Sequence, residues 1–280
     1  HKGFERQHST CYVGVLHLLR CIPDALFGTN SALSTKLTQV SGTPTIPNVH
    51  QLITSLHAQL PTRVSKNFSL HQDAKDFLEV LFVTNAANQA KLQFNLIRKR
   101  KCPACSDVSL SDEVMDCLPV SLVQQSDPLD LKSLFEQTIQ PDAMSLKCSK
   151  CDANALIEST SFCGTSEFLL LHIKRFAFCK GDGCTTKITT RVSIPDGWNV
   201  NTEIGDDIYV VGYEIAAVII HAGPSHASGH YKAIRKISGG NWWHYNDATI
   251  TKFVSLQEAM NYDDDSYTGS YLILLERCSE

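Results

Sequence analysis

The chain has 280 residues, of which 43% are hydrophobic, 19% charged and 8% aromatic, and its formal net charge is −4. These fractions are typical of a globular protein and exclude a fully disordered or fibrous chain. The acidic balance argues against nucleic acid as a partner, because phosphate binding needs a basic surface. No apolar run approaches the roughly 18–20 residues that a membrane span requires. The sequence begins at His1 with no signal segment, so we expect an excised domain that lacks its targeting information. The lack of a long apolar run leads us to expect no membrane partner.

Helices are predicted mainly in the first third of the chain. Residues 11–22 are apolar on most sides, which predicts a buried helix, and residues 28–50 have the composition of a loop. Residues 71–83 carry apolar side chains at helical spacing and predict an amphipathic helix. From Lys91 the apolar residues alternate with polar ones, which predicts a strand. A short helix is predicted at 131–137.

Strands dominate the second half. The predicted strands cover 168–178, 213–221, 231–237, 242–245 and 271–276. Residues 238–241 read Ser-Gly-Gly-Asn, which predicts a hairpin turn between two of these strands. Helices followed by strands indicate the α+β fold class.

Four of the eleven cysteines form two close pairs, Cys102 with Cys105 and Cys148 with Cys151. Two CxxC turns supply the four thiolates of a tetrahedral Zn²⁺ site, so we predict a structural zinc that joins the tips of two hairpins. Two redox motifs, or ordinary buried cysteines, are the alternatives. An odd number of cysteines with paired CxxC turns favours free thiols in a reducing, intracellular compartment.

Cys11 is a candidate nucleophile. It follows Thr10, a possible N-cap, at the start of the first predicted helix. The dipole and free N–H groups of a helix N-terminus stabilise a thiolate and lower the pKa of a cysteine. Taken alone, Cys11 is better explained as a buried structural residue.

A histidine near the other end of the chain could activate that thiol. His230 opens a predicted strand, and Asn246 and Asp247 follow the next strand after the hairpin turn. The start of one strand lies beside the end of its partner in an antiparallel hairpin, so these side chains should be neighbours. An imidazole oriented by an amide or a carboxylate is what a cysteine nucleophile needs for proton transfer.

The chain resembles the ubiquitin-specific protease family of papain-like deubiquitinating enzymes almost from end to end. Seven ordered segments match that family's motifs. They are the cysteine box at 3–12, the Gln-Asp helix at 72–78, the two CxxC pairs, the Lys-Arg-Phe strand at 169–176, the histidine box at 213–231, the triad segment at 243–247 and the closing strand at 271–274.

The resemblance implies one catalytic domain over residues 1–280, with a thumb at about 1–90, zinc-binding fingers at 91–165 and a palm at 166–280. We expect this domain to be monomeric. Its implied reaction is hydrolysis of the isopeptide bond that follows the C-terminal Gly-Gly of ubiquitin, so ubiquitin and ubiquitin-conjugated proteins are the implied partners.

The same resemblance assigns roles to the triad candidates. Cys11 would be the nucleophile, His230 the general base and Asn246 the residue that orients it. Asp247 would support the histidine or take the third role itself.

The acidic residues Asp73 and Asp76 stand where the family binds the two arginines of the ubiquitin tail. Carboxylates give arginine charge-assisted hydrogen bonds, although two exposed helix carboxylates are the plainer interpretation. Tyr231 is a candidate wall for the narrow passage that takes Gly-Gly, and it could equally be a core residue.

The cysteine box departs from the family pattern at Arg6, which replaces the asparagine that donates to the oxyanion. Loss of one such donor costs about 10²–10³ in rate, unless the guanidinium of Arg6 donates instead. Two alternatives to an active deubiquitinase therefore remain. One is an isopeptidase for a ubiquitin-like modifier, and the other is a weakly active scaffold that binds ubiquitin.

Overall fold

The computed structural model describes Val15, Cys21, Gln51 and five longer ranges. These ranges are 73–83, 86–178, 185–225, 228–262 and 268–279. Apart from Val15 and Cys21, the helix predicted at 11–22 lies outside the described residues, as does the loop predicted at 28–50.

Four helices lie in the longer described ranges. They are α1 (Ala74–Val83), α2 (Ala86–Leu92), α3 (Leu131–Ile139) and α4 (Leu256–Asn261). Side chains cap two of them: Asp130 accepts a hydrogen bond from the Ser133 N–H at the start of α3, and Ser255 accepts one from Glu258 N–H at the start of α4. No helix among the described residues is long and apolar enough to cross a membrane.

Sixteen strands make up most of the rest of the described chain. They are β1 (Phe94–Lys101), β2 (Val108–Met115), β3 (Leu118–Ser121), β4 (Leu129–Asp130), β5 (Asp142–Met144), β6 (Leu156–Gly164), β7 (Phe168–Lys174), β8 (Phe176–Phe178), β9 (Thr185–Lys187), β10 (Val192–Ser193), β11 (Gly197–Ile204), β12 (Asp207–Ser225), β13 (Ser228–Lys236), β14 (Trp242–Asn246), β15 (Thr249–Phe253) and β16 (Thr268–Arg277).

One large mixed sheet connects twelve of these strands. Its main path is β15-β14-β13-β12-β11-β6-β1-β2, and β16 pairs with both β12 and β7. The long strand β12 is central, since it forms antiparallel ladders with β11, β13 and β16. Two small sheets, β10-β4 and β8-β9, lie beside it.

The main core lies where α3 and α4 cover one face of the large sheet. Aromatic rings fill the part under α3, with Phe135 in contact with Phe162 and Trp198 at centroid distances of 5.8 and 5.5 Å. Aliphatic side chains from β7, β12 and β16 continue the core toward α4. Burial of this apolar face is what fixes the register of the central strands.

The strand predicted at 168–178 is interrupted at Arg175, which separates β7 from β8. Arg175 is 1% exposed and turns into the protein. Its guanidinium donates to the carbonyls of Ser270, Ile188 and Thr190 at 2.6, 3.1 and 2.9 Å. A buried cation needs hydrogen-bond partners, and the break in the strand lets Arg175 reach three carbonyls from other segments.

The basic run at 98–101 lies on β1 and is partly neutralised by acidic side chains of the neighbouring strands. Arg98 contacts Glu113 at 2.5 Å and Glu158 at 3.1 Å, and Arg100 contacts Glu158 at 2.6 Å. The sequence pattern did not predict β2, β6 and β11, which are rich in serine, threonine and asparagine.

Candidate active site

The hairpin of β13 and β14 brings His230 and Asn246 together. His230 lies near the start of β13, Asn246 ends β14, and the two strands pair antiparallel. His230 Nε2 lies 2.7 Å from Asn246 Oδ1. The prediction that these two side chains are neighbours is confirmed, because hairpin geometry places them on a diagonal of the same sheet face.

This hydrogen bond defines the chemistry of the imidazole. An amide oxygen can only accept, so Nε2 of His230 carries the proton and Nδ1 keeps its lone pair. Nδ1 is buried and has no hydrogen-bond partner among the described residues. The arrangement leaves a basic nitrogen aimed away from Asn246 and able to take a proton.

Asp247 stands farther from the histidine than Asn246 does. Its Oδ2 is 3.8 Å from His230 Nε2, which is too long for a hydrogen bond but close enough to stabilise the imidazolium that forms when Nδ1 takes a proton. Asp247 adopts φ of 50° in the turn between β14 and β15, a left-handed conformation that aspartate tolerates better than most residues. The geometry therefore favours Asn246 as the orienting residue and Asp247 as a supporting charge.

The candidate nucleophile Cys11 and the candidate oxyanion donor Arg6 lie outside the described residues. Their proposed roles stay predictions.

Asp73 and Asp76 occupy different environments. Helix α1 begins at Ala74, so Asp73 precedes it and Oδ1 accepts from the backbone N–H groups of Lys75 and Asp76 at 2.7 and 3.3 Å. Oδ2 of Asp73 accepts from the Tyr271 hydroxyl at 2.6 Å. Asp76 lies in the first turn of α1 and is exposed. Asp73 thus caps the helix and joins it to β16, while Asp76 is an exposed residue of the first helical turn.

Tyr231 belongs to a layer of packed rings beside the histidine. It is 2% exposed, and its ring lies 4.9 Å from His221 and 5.8 Å from Tyr271. Burial, followed by the charge of Asp73, raises the pKa of Tyr271, which keeps the hydroxyl protonated as a donor to Asp73. Whether Tyr231 also contacts a bound tail stays a prediction.

His172 was not singled out from the sequence. Its ring meets Tyr271 edge-on at 4.8 Å. Burial, with smaller contributions from Lys174 and Lys75, lowers the pKa of His172 from 6.5 to about 3. The histidine is therefore neutral at ordinary pH, and its position in the Lys-Arg-Phe strand is the one sequence signal that could have drawn attention to it.

The four paired cysteines form one cluster at the end of the β1–β2 hairpin. Their Sγ atoms all lie within 4.8 Å of one another, with 3.6 Å between Cys102 and Cys151 and 3.8 Å between Cys105 and Cys148. Two thiolates bound to one zinc at about 2.3 Å in a tetrahedron stand about 3.8 Å apart. The residues present therefore fit a tetrahedral metal site.

The backbone around the cluster also fits metal binding. Each CxxC turn is followed by a residue at positive φ, Ser106 at 61° and Asp152 at 59°. The N–H of Lys150 points at Cys148 Sγ at 3.4 Å. Hydrogen bonds from the N–H groups of Cys105 and Ala104 help lower the pKa of Cys102 to about 7, whereas the neighbouring thiols help raise the pKa of Cys105 and of Cys151. Cys102 is therefore the thiol of the cluster that most readily forms the thiolate needed to bind a metal.

The eight cysteines among the described residues are free thiols. This set includes the four clustered ones and Cys21, Cys117, Cys163 and Cys278. Burial raises the pKa of Cys21 and Cys117 to about 12, so both are poor nucleophiles.

Known proteins that are similar in sequence include ubiquitin carboxyl-terminal hydrolases. One is ubiquitin carboxyl-terminal hydrolase 13 of Saccharomyces cerevisiae, 24% identical over 184 residues, or 63% of this chain and 23% of that protein. Another is the probable ubiquitin carboxyl-terminal hydrolase 16 of Schizosaccharomyces pombe, 35% identical over 83 residues, or 30% of this chain and 18% of that protein. The chain spans about a fifth of the length of these relatives.

Solved structures with the same fold include a SAGA DUB module, in which Ubp8 with Sgf11, Sus1 and Sgf73 is bound to monoubiquitin. The TM-score is 0.79 at 16% identity, covering 100% of this chain and 69% of that one. A Ubp8 module bound to ubiquitin aldehyde gives a TM-score of 0.77 at 17% identity, with 100% and 70% coverage. These matches confirm the predicted α+β fold.

The model of the family described as ubiquitin carboxyl-terminal hydrolase matches residues 9–271. This span includes Cys11, His230, Asn246 and the cysteine cluster. The chain belongs to the ubiquitin carboxyl-terminal hydrolase family.

Proposed function

We propose that the chain is a thiol-dependent deubiquitinase that hydrolyses the bond after the C-terminal Gly-Gly of ubiquitin. The observation that carries the proposal is the bond between His230 Nε2 and Asn246 Oδ1, which leaves a buried and basic Nδ1. Membership in a family of ubiquitin carboxyl-terminal hydrolases supplies the substrate class.

The reaction follows from the state of the histidine. His230 Nδ1 takes the proton of the Cys11 thiol, and the sulfur attacks the carbonyl carbon of the terminal glycine. The resulting imidazolium returns the proton to the leaving lysine amine, which leaves a thioester on Cys11. His230 then takes a proton from water, hydroxide attacks the thioester, and the thiol is released with the carboxylate of ubiquitin.

Recognition of the tail is assigned to the two carboxylates near α1. Asp76 is exposed and can form charge-assisted hydrogen bonds with a tail arginine. Asp73 already holds Tyr271 and the N-terminus of α1, so its part would be to place Asp76. Tyr231 supports the passage from within the buried ring layer. Arg6 would donate to the oxyanion.

Structural Zn²⁺ is proposed for the cluster of Cys102, Cys105, Cys148 and Cys151. Its sulfur separations match a tetrahedral ion, and the cluster lies at the end of β1 and β2, far along the sheet from His230. The metal would hold the two CxxC turns together and take no part in hydrolysis. The domain is proposed to act as a monomer in a reducing, intracellular compartment.

Steady-state hydrolysis of a fluorogenic ubiquitin C-terminal amide tests the proposal. We expect turnover by the zinc-loaded chain and none by Cys11→Ala. A matched panel of ubiquitin-like modifiers tests the substrate class. Turnover of another modifier without ubiquitin would overturn the ubiquitin assignment, and turnover by Cys11→Ala would overturn the assigned nucleophile.

A further inference from the structure

We infer that Lys187 is a positioning residue that holds the backbone of His230 in place by clamping the end of β12. The inference deepens the proposed function, on which it rests, because it concerns the same histidine. Lys187 ends β9, in the small β8-β9 sheet beside the large one.

The ammonium group of Lys187 lies on three acceptors of one short segment. Its Nζ is 2.8 Å from His221 Nδ1, 2.9 Å from the carbonyl of His221 and 2.9 Å from the carbonyl of Gly223. A lysine ammonium has three N–H donors, so it can serve all three of these acceptors. The two carbonyls flank Ala222, so Lys187 binds the backbone on both sides of that residue.

Lys187 also determines which ring nitrogen of His221 carries the proton. Because an ammonium can only donate, His221 Nδ1 accepts and its proton lies on Nε2. The His221 side chain is fully buried and meets the rings of Tyr231 and Phe176 at 4.9 and 5.4 Å. Lys187 therefore fixes both the rotation and the protonation of a ring that is already packed on two sides.

The clamped segment lies directly against the residue before His230. In the ladder between β12 and β13, Ala222 is the partner of His230 and His221 is the partner of Tyr231. A Cβ placed on Gly229 would lie 2.5 Å from His221 Nε2 and 2.6 Å from the Ala222 carbonyl. The histidine ring thus rests on the bare backbone of Gly229, and any shift of His221 moves the start of β13.

A second close contact joins the segment bound by Lys187 to the start of β13. Gly223 has φ of 127°, and a Cβ there would lie 2.6 Å from Gly229 Cα. The two glycine backbones touch because neither carries a side chain. His230 is thereby held from two sides: Asn246 holds its ring, and the segment held by Lys187 holds its backbone.

Lys187→Met tests the inference, since it keeps most of the aliphatic stem and removes the three donors. We expect kcat on a ubiquitin amide to fall at least 10-fold, toward the 10²-fold that a misplacement of about 1 Å costs, with KM little changed. Lys187→Arg keeps the charge without the compact ammonium and should lose less. Lys236→Met is the matched control, because Lys236 ends β13, the strand that carries His230, and pairs with Glu214 at 2.8 Å.

A second readout needs no substrate. The imidazole ¹⁵N resonances of His230 should show one tautomer with a proton on Nε2 in the wild type and in Lys236→Met. In Lys187→Met they should shift toward an average of two tautomers. A measurement of folding alone would not distinguish Lys187→Met from Lys236→Met, whereas the His230 resonances would.

The outcomes separate this inference from the proposed function. Wild-type kcat and an unchanged His230 resonance in Lys187→Met would overturn the role of Lys187 while leaving the deubiquitinase proposal intact. If the wild type does not cleave ubiquitin, the proposed function fails and the resonance alone decides on Lys187. Should Lys187→Met not fold, Lys187→Arg with wild-type kcat and resonance would overturn the inference, and an intermediate result would support it.

Discussion

Two regions of the large sheet are held together by different forces. In its interior, Leu272–Leu275 of β16 are fully buried between β12 and β7. At its edge, Leu110 and Val114 of β2 are 65% and 63% exposed. The first region is stabilised by apolar burial. The second depends on side-chain ion pairs and on the cysteine cluster at its tip, so its structure should be the more sensitive to solution conditions.

Loss of the proposed zinc should give the largest effect. Structural zinc sites contribute apparent binding free energies of about 10–16 kcal/mol, and β2 has little buried apolar surface to replace that contribution. Cys148→Ser should therefore abolish amide protection in β2 and next to the cluster in β1, while β12 and β16 keep theirs. Hydrogen exchange followed by mass spectrometry measures both regions at once.

Cys163→Ser is the matched control for that experiment, since Cys163 lies on β6 outside the cluster. It should leave protection in both regions nearly unchanged. An equal loss of amide protection in both regions of Cys148→Ser would contradict the independence of the two regions.

A substitution of Asn246 should have the opposite effect to Cys148→Ser, because activity is lost while the structure is kept. Asn246→Ala removes the bond that sets the His230 tautomer, and misdirected general base catalysis costs about 10²–10⁴ in kcat. Asn241→Ala, in the preceding turn, is the control. Steady-state kinetics beside thermal unfolding would show the effect. A loss of kcat below 10-fold in Asn246→Ala would contradict the orienting role.

The pH dependence of stability should reveal the buried His172. Its pKa is lowered to about 3, so between pH 3 and 6.5 the unfolded chain binds a proton that the folded chain does not. The free energy of unfolding should then fall by about 3 kcal/mol from this group as the pH drops from 7 to 4. Its contribution is complete above pH 6.5 and is lost as the pH falls toward 3.

His172→Phe isolates that contribution, because a phenyl ring can keep the edge contact with Tyr271. Urea unfolding at several pH values should show a flatter dependence in this variant than in the wild type. Identical slopes would mean that His172 is protonated in the folded protein.

The smallest effect is expected from the ion pair between Arg98 and Glu113. Both side chains are about a third exposed, and such pairs contribute about 0.2–1 kcal/mol. Glu113→Gln should lower the free energy of unfolding by no more than this, and high salt should remove the difference. A larger, salt-resistant loss of unfolding free energy would show that the ion pairs of β1 stabilise this region more than the exposure of their side chains suggests.

The sequence predicts the parts of the fold that rest on local patterns. The hairpin that joins His230 to Asn246 and the meeting of two CxxC pairs both follow from turn residues and spacing. The hydrogen bond between Asp73 and Tyr271 joins residues 198 positions apart, and the contacts of Lys187 join residues 34–36 positions apart. No periodic pattern in the sequence predicts either set of contacts. Arg175 likewise breaks a continuous apolar run because its charge needs carbonyls that only the tertiary fold supplies.

Labelling with C-terminally electrophilic ubiquitin, followed by intact mass, tests the central claim most directly. The proposed chemistry predicts one adduct on the zinc-loaded chain, its absence in Cys11→Ala and slower labelling in Asn246→Ala. No adduct on the folded wild-type protein, or an adduct that persists in Cys11→Ala, would contradict the assignment of a cysteine nucleophile served by His230.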